Sequence, residues 1–458
     1  MPRARRDLDS AARRTAWEDA VLTGAHERAV PPAEAARRVA AASAALGLRA
    51  ELVDVGEGRD PTAWWCGLLA RTADGPPVAS GMGKGHPEQA RVGASFEAVE
   101  HYLTGPAGFD PAALTPVAPA RAAAGPLRAE SCAPLLARMP GSRMACLRYR
   151  AFGGGAALPV PLFLSAPWYT ETGAAGLRDL AGDDCDYTHL MRYACNSGSA
   201  AGVNAAEALL HALNEVIERD ALSLLLVRAF LCQAGPALRL IDPATLPYGL
   251  ARAHATAEDL TGSPVYLLDI TSDVAVPTML AYTVPTGRRP HRRGSGTSLS
   301  PGHAAWRALT ELVQTTLGET WSRPATPPRT DLAGLAAYPA LRACGRFDLT
   351  GPLRAARPVP FPQAAGPPPP IRAQIRTVVA TLAARGRPAY RRTVRAPACG
   401  VTAVHVIVPG LERFMLVTDG NLVVPGPRGR AAVSVAENSG RFLNTPGFPP
   451  DSIALTAP

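Results

Sequence analysis

One order of elements recurs three times along this chain, and it limits the fold more than any other feature. "PPAEAARRVAAASAALGLRAELVDVGEGRDPTAWWCGLLART" (31–72) reads as a helix, a glycine stop, an alternating run, a turn and a second run. "LARAHATAEDLTGSPVYLLDITSDVAVPTMLAYTVP" (250–285) and "IRTVVATLAARGRPAYRRTVRAPACGVTAVHVIVPG" (375–410) repeat it. The spacing between copies is irregular, which excludes a solenoid and predicts helix-strand-strand units inside one large α/β body.

Three long helices are predicted between these units, near 87–103, 204–231 and 301–317. Pro87 and Pro301 suit first-turn positions, and Asn204 with Glu207 three residues on forms a capping box. The second helix ends in "ALSLLLVRAFL", apolar on every side, so its end is expected to be buried. The expected organisation is a tail over 1–30, one body over 31–440 and a tail over 441–458. A proline-rich connector, exposed and extended, is expected over about 356–370.

At 458 residues, 47% of them hydrophobic, the chain can bury a sizeable core. Its eight cysteines include no C-x-x-C pair, so reduced thiols are expected rather than a zinc ribbon or a disulfide framework. No apolar targeting segment opens the chain and no stretch is long enough to span a bilayer, which together predict a cytoplasmic protein without membrane contact. The net charge of +9 comes from dispersed arginines. The one dense run, "GRRPHRR" (287–293), reads as a solvated loop, and no nucleic-acid partner is expected.

Acidic side chains line one face of each long helix. Glu207, His211, Glu215 and Glu218 follow at offsets of four, four and three; Glu97 and Glu100 stand three apart; Arg307, Glu311 and Gln314 share a stripe. Each stripe has an ordinary explanation as a solvated face, Glu207 can serve its own cap, and Glu215 can pair with Arg219. The apolar residues between the acids, Phe96, Val99, Val216 and Ile217, argue that these helices are not wholly exposed. Gathered carboxylates repel unless cations neutralise them, and an all-oxygen set suits Mg²⁺ held together with substrate phosphates. A Mg²⁺-bound nucleotide triphosphate would account for acidic helices in a basic protein.

Lys84, in "GMGKG" (81–85), is the single lysine among 47 Lys and Arg. The stretch is not a P-loop, because Gly85 follows Lys84 and Val78 stands where the first glycine is required. Nor does any serine satisfy Gly-x-Ser-x-Gly. The glycines fit either a close backbone approach to a ligand or a flexible turn.

Taken in order, "MGKG", "ASFEAVEH", "NSGSAAGVNAAEALLHALNEVIERDA", "DITSD", "SPGHAAWRALTELVQ" and "HVIVPGLERF" with "PGPRGRA" resemble the markers of the YcaO family, over about residues 31–440. The resemblance implies an ATP- and Mg²⁺-dependent enzyme that activates a peptide backbone amide. In such a reaction a nucleophile adds to the amide carbonyl, the oxyanion takes the γ-phosphoryl group, and phosphate leaves. Family members form azolines, thioamides or amidines in ribosomally made peptides. Glu97, Glu100, Glu207, Glu215, Glu218 and Glu311 are then the implied metal ligands. Lys84, Ser199, Asn204, Arg219, Arg307 and Gln314 are the implied ATP-binding residues. His211 is a candidate base, with a purely structural histidine as the alternative.

The implied partners are a precursor peptide and a separate protein for leader binding or sulfur transfer, and a homodimer is left open. Three positions depart from the family pattern: Ala94 replaces a serine, and His101 and Leu317 replace arginines. The C-terminus also lacks the P-x-P-x-P ending of azoline-forming members. These departures keep a second reading in view, a non-catalytic scaffold that binds a peptide or partner enzyme.

Overall fold

The computed structural model describes residues 24–71, 75–232, 235–286, 290–322, 332–364, 366–395 and 400–438. Among them the strands are β1 (Leu48–Asp54), β2 (Thr62–Ala70), β3 (Ala79–Gly85), β4 (Leu114–Val117), β5 (Met144–Ala151), β6 (Leu158–Pro161), β7 (Ser199–Gly202), β8 (Arg239–Ile241), β9 (Tyr266–Asp269), β10 (Thr278–Thr283), β11 (Arg292–Thr297), β12 (Arg357–Val359), β13 (Tyr390–Arg395) and β14 (Thr402–Ile407). The longer helices are α1 (Pro32–Ala45), α2 (Pro87–Thr104), α3 (Ala205–Leu226), α4 (Tyr248–Thr261), α5 (Pro301–Ser322), α6 (Ile371–Ala383) and α7 (Pro427–Asn438). The fold is α/β, and the three helix-strand-strand units are α1-β1-β2, α4-β9-β10 and α6-β13-β14.

The strands form three sheets, in the orders β1-β2-β3, β11-β10-β9-β8-β12 and β4-β5-β13-β14-β7, with β6 added beside β5. All pairings are antiparallel except β8 with β12. Every unit pairs its second strand with one further strand that runs directly into a long helix: β3 into α2, β11 into α5 and β7 into α3. In the third unit that strand and helix come earlier in the chain than their partners. The body is therefore built three times on one plan.

The plan depends on side chains that are missing. A Cβ on Gly83 would lie 1.8 Å from Ala90 O, and one on Gly81 would lie 2.4 Å from Ala98 N, so α2 rests directly on the β3 backbone. The helix supplies Ala90, Ala94 and Ala98, one per turn and fully buried. In the second unit a Cβ on Gly294 would lie 2.2 Å from Leu312 N and one on Gly296 2.2 Å from Ala304 O. In the third, a Cβ on Gly202 would lie 2.9 Å from Ala208 N. Ala94, where the family has serine, is thus a packing residue against Gly83.

Helix starts follow the predicted signals. Asn204 Oδ1 accepts from Glu207 N at 3.0 Å, and Ser300 Oγ accepts from His303 N at 3.3 Å. Beyond Leu226 the second long helix widens into an i→i+5 turn over Val227–Leu231, with Leu222, Leu224, Leu225 and Leu226 buried as expected. All seven described cysteines are free thiols, and no helix among the described residues is long and apolar enough to cross a membrane.

Four expectations are corrected, the last in part. "GMGKG" is neither a flexible turn nor a backbone cradle, because it forms β3 and turns Gly81 and Gly83 toward a helix. The basic run is not simply a solvated loop: Arg292 and Arg293 belong to β11, Arg292 pairs with Glu319, and Arg293 lies against the Phe347 ring, 4.3 Å from its centroid; residues 287–289 fall outside the described residues. From Gly24 onward the expected N-terminal tail is docked, its Glu27 buried beside Ser298 and His303. The proline-rich connector is exposed over most of its length, but its first residues form the edge strand β12.

The helix-on-strand contact predicts opposite effects from two neighbouring glycines. Gly83→Ala should cost ~3 kcal/mol or more, or prevent folding, because backbone on both sides must move. Gly93→Ala, at an interior helix position whose added Cβ meets its nearest neighbour at an ordinary 3.5 Å, should gain ~0.5–1 kcal/mol. Thermal unfolding of the two variants checks both signs.

Candidate active site

With Gly81 and Gly83 turned to α2, the alternation of β3 turns Met82 and Lys84 to its other face, toward α5. In the same way β11 gives Gly294 and Gly296 to α5 and turns Arg293 and Ser295 toward α3. On β7, Gly202 faces α3 while Ala201 meets α2. Each strand therefore lies between its own helix and the next, and the three close a ring.

The acidic residues occupy equivalent places on that ring. One carboxylate of each helix accepts from backbone at or just before its own strand: Glu97 Oε2 from Met82 N at 3.2 Å, Glu311 Oε1 from Ser295 N at 3.3 Å, and Glu215 from the amide of Gly198, the residue before β7. Three residues on, the second polar group reaches the next strand. Glu100 Oε2 accepts from Ala201 N at 3.0 Å, Glu218 Oε1 accepts from Ser295 Oγ at 2.8 Å, and Gln314 Nε2 donates to Met82 O at 2.6 Å. Lys84 Nζ adds an ion pair with Glu311 Oε2, and Arg219 lies 3.6 Å from Glu215 Oε1.

Proton affinities record the crowding. Burial holds Glu100 well above the usual carboxylate range, and the charges of Glu215 and Glu97 push it further. Glu215 rises to about 7 through burial and Glu218, although Arg219 opposes the shift. Glu97 is raised by burial against the pull of His101 and Lys84, and with 42% of its side chain exposed it is the most open of the set. Glu311 goes the other way: burial would raise it, but Lys84, Arg219 and Arg307 together hold it low. His211 is kept neutral by burial and by Arg307, Arg28 and Lys84.

Not every expected residue joins this cluster. Glu207 sits at its edge, where Arg28 Nη1 donates to one carboxylate oxygen at 3.2 Å and Ala29 N to the other at 2.9 Å, so the reciprocal half of the capping box is not made. Asn204 acts as the helix cap. Ser199 points beneath the last turn of α2 into a separate small cavity, shared with Thr104 and His405, and its hydroxyl is buried without a partner. At the two positions where the family has arginine, His101 Nδ1 donates to Ser80 O (2.6 Å) and its ring lies 4.0 Å from Glu97, whereas Leu317 packs into the core with Leu309 and Val313. Ser295 and Arg28 were not legible as site residues, although Ser295 stands where Met82 stands in "GMGKG".

The residues fit a Mg²⁺-bound nucleotide in a particular way. Among the described residues no three His, Cys, Asp or Glu side chains converge as a ready ligand set. The carboxylates come as one pair on α2 and another on α3, with Glu311 nearby, and the raised proton affinity of Glu97, Glu100 and Glu215 is the mark of negative charge awaiting a cation. Mg²⁺ characteristically takes one or two carboxylates and completes its shell with phosphates and water. Arg307 Nε, buried without a hydrogen-bond partner, is a donor available to an anion.

A family model described as YcaO cyclodehydratase, ATP- and Mg²⁺-binding, matches residues 82–412. The chain belongs to the YcaO family. The family's cofactors are the two that the acidic helices suggested. Among solved structures, YcaO from Methanopyrus kandleri bound with AMPPCP and Mg²⁺ is similar at a TM-score of 0.60 and 19% identity, covering 87% of this chain and 95% of that one. A heterocyclase in complex with substrate and cofactor gives 0.58 and 17%, covering 85% and 54%. At these identities the likeness is one of fold. Two curated relatives, an uncharacterized protein of Methanothermobacter thermautotrophicus and an uncharacterized protein in the tfuA 3′ region of Rhizobium leguminosarum bv. trifolii, are 36% and 35% identical over 125 and 136 residues. The matches cover 26% and 27% of this chain and 30% of each relative.

A raised acid at this site has a pH signature. Glu215 is raised to about 7 in the folded state from an ordinary 4.5, so between those values the folded state binds more protons than the unfolded state and stability falls as pH rises. Glu215→Gln should remove that part of the slope and make the ligand-free protein more stable at pH 8. It should also reduce the rise in Tm that Mg²⁺ and AMPPCP give the wild type. Paired thermal scans from pH 5 to 8 read both effects.

Proposed function

We propose that this YcaO chain uses ATP and Mg²⁺ to O-phosphorylate a backbone amide of a ribosomally made peptide, as a cyclodehydratase or thioamide-forming component. The observation that carries the reading is the ring in which carboxylate pairs from different helices meet Lys84, Arg219 and Arg307. The family description and the fold shared with an AMPPCP- and Mg²⁺-bound relative support it.

In this reading Glu97, Glu100, Glu215, Glu218 and Glu311 hold Mg²⁺, which supplies charge neutralisation for the phosphates. Lys84, Arg219 and Arg307 bind the triphosphate, with Gln314 fixing β3 through its bond to Met82 O. In this scheme the substrate nucleophile would add to the amide carbon as its proton is removed, the former carbonyl oxygen would take the γ-phosphoryl group with ADP as the leaving group, and cleavage of the C–O bond would then expel that oxygen as phosphate. Loose phosphoryl-transfer transition states need positioning and field rather than covalent help, which fixed cations between strands and helices provide. His211, on the same helix stripe as Glu215 and Glu218, is the candidate proton acceptor of this scheme, a weak base because burial and Arg307, Arg28 and Lys84 hold its proton affinity low. Glu207 serves differently, as the anchor of the docked segment around Arg28. The partners in this reading are a precursor peptide and a protein that presents it or supplies sulfur.

Incubation of the protein with Mg²⁺, ATP and any short precursor-like peptide found encoded near its gene, with and without any co-encoded partner protein, tests the proposal. Loss of water from the peptide or exchange of an oxygen for sulfur, with phosphate released in step, is expected. No peptide change and no ATP turnover would leave the scaffold reading in its place. Lys84→Arg should lower turnover ~10²-fold with Tm unchanged, since a planar guanidinium cannot take the place of a compact ammonium between β3 and Glu311.

A further inference from the structure

Past Glu218 and Arg219, the last turns of α3 leave the acidic ring and border a second opening. A cavity of about 400 Å³ lies between this end of α3 and the β8–β9 edge of the second sheet, with Ala221, Leu225, Arg228, Leu268, Thr271 and Pro352 in its wall. Small-ligand sites typically measure ~300–1,000 Å³. Apolar side chains alternate in the wall with a handful of polar ones, Arg228, Arg239, Asp269 and Thr271 among them.

Arg228 gives the cavity its sign. It sits in the widened turn Val227–Leu231, a feature that re-aims side chains and is frequent at functional sites. The guanidinium is half-buried and makes no hydrogen bond or ion pair with any described residue. The other guanidinium at this cavity, Arg239, is spent on Asp269. A half-buried arginine with five unused donors and apolar neighbours suits a carboxylate, which it can take in two parallel hydrogen bonds.

Geometry connects the cavity with the reaction. At 1.5 Å per residue, Arg228 stands ~15 Å along α3 from Glu218. An extended peptide advances ~3.3 Å per residue, so a chain reacting beside Glu218 brings a side chain to Arg228 about four or five residues away. We propose that this cavity is a specificity subsite for an acidic side chain of the peptide substrate, at that spacing from the modified amide. The inference rests on the peptide-modifying reading above, which it deepens by naming what the enzyme recognises.

Fluorescein-labelled decapeptides that carry one Cys and, at the third to the sixth position from it, a single Glu or Gln provide the probe. Fluorescence anisotropy with the full-length protein needs no turnover. Wild type should bind the Glu peptide ~10-fold more tightly than its Gln partner at one spacing, the gain typical of a charge-assisted pair. Arg228→Lys should keep part of this preference and Arg228→Glu should lose it, while both variants retain the Tm rise with Mg²⁺ and AMPPCP. Equal affinity for Glu and Gln peptides at every spacing, or a preference that survives in Arg228→Glu, would overturn the subsite. A wild type that shows no response to Mg²⁺ and nucleotide would instead overturn the reading of the acidic ring, and the peptide comparison would still decide the cavity.

Discussion

Everything at the candidate site depends on how closely three helices lie on three strands. Glycines 81, 83, 294, 296 and 202 bring each helix axis onto the strand backbone, and alanines at turn intervals complete the contact. The consequence is chemical as well as structural. Only at this separation can a glutamate on the helix reach the amide of its own strand, as Glu97 reaches Met82 and Glu311 reaches Ser295. One residue later the strand meets the next helix, so the same residues that define packing also define where the carboxylates point.

The ring is electrostatically unbalanced without a ligand. Lys84 and the arginines stabilise Glu311, but Glu100 and Glu215 remain protonated more readily than free glutamates because burial and their mutual repulsion act together. Such an arrangement costs stability in the empty protein and is relieved by a dication. This is a common relation between a binding site and the fold that carries it: the residues that raise affinity for the ligand lower the stability of the unliganded state.

The three helix-strand-strand units were legible because their signals are local, a helical period followed by alternation and turn residues. The strands nearest the site were not. β3, β7 and β11 read "ASGMGKG", "SAAG" and "RRGSGT", with little of the β-branched or aromatic character that marks a strand, because one face of each must lack side chains to admit its helix. That is why "GMGKG" looked like a turn and the arginines beside Ser295 looked like a loop. The engagement of Glu207 by Arg28 was equally hidden, since 179 residues separate them and no periodicity links the two. The acidic residues themselves were visible as stripes, and the family resemblance gave them a chemistry; their ring-like relation needed the fold.

The claim that the carboxylates are held partly protonated until a cation arrives can be measured directly. Isothermal titration of AMPPCP and Mg²⁺ into the protein at pH 7, repeated in buffers of different ionisation enthalpy, counts the protons exchanged on binding. The account predicts net proton release that disappears in Glu100→Gln/Glu215→Gln. Proton uptake, or nucleotide binding of equal strength without Mg²⁺, would contradict it.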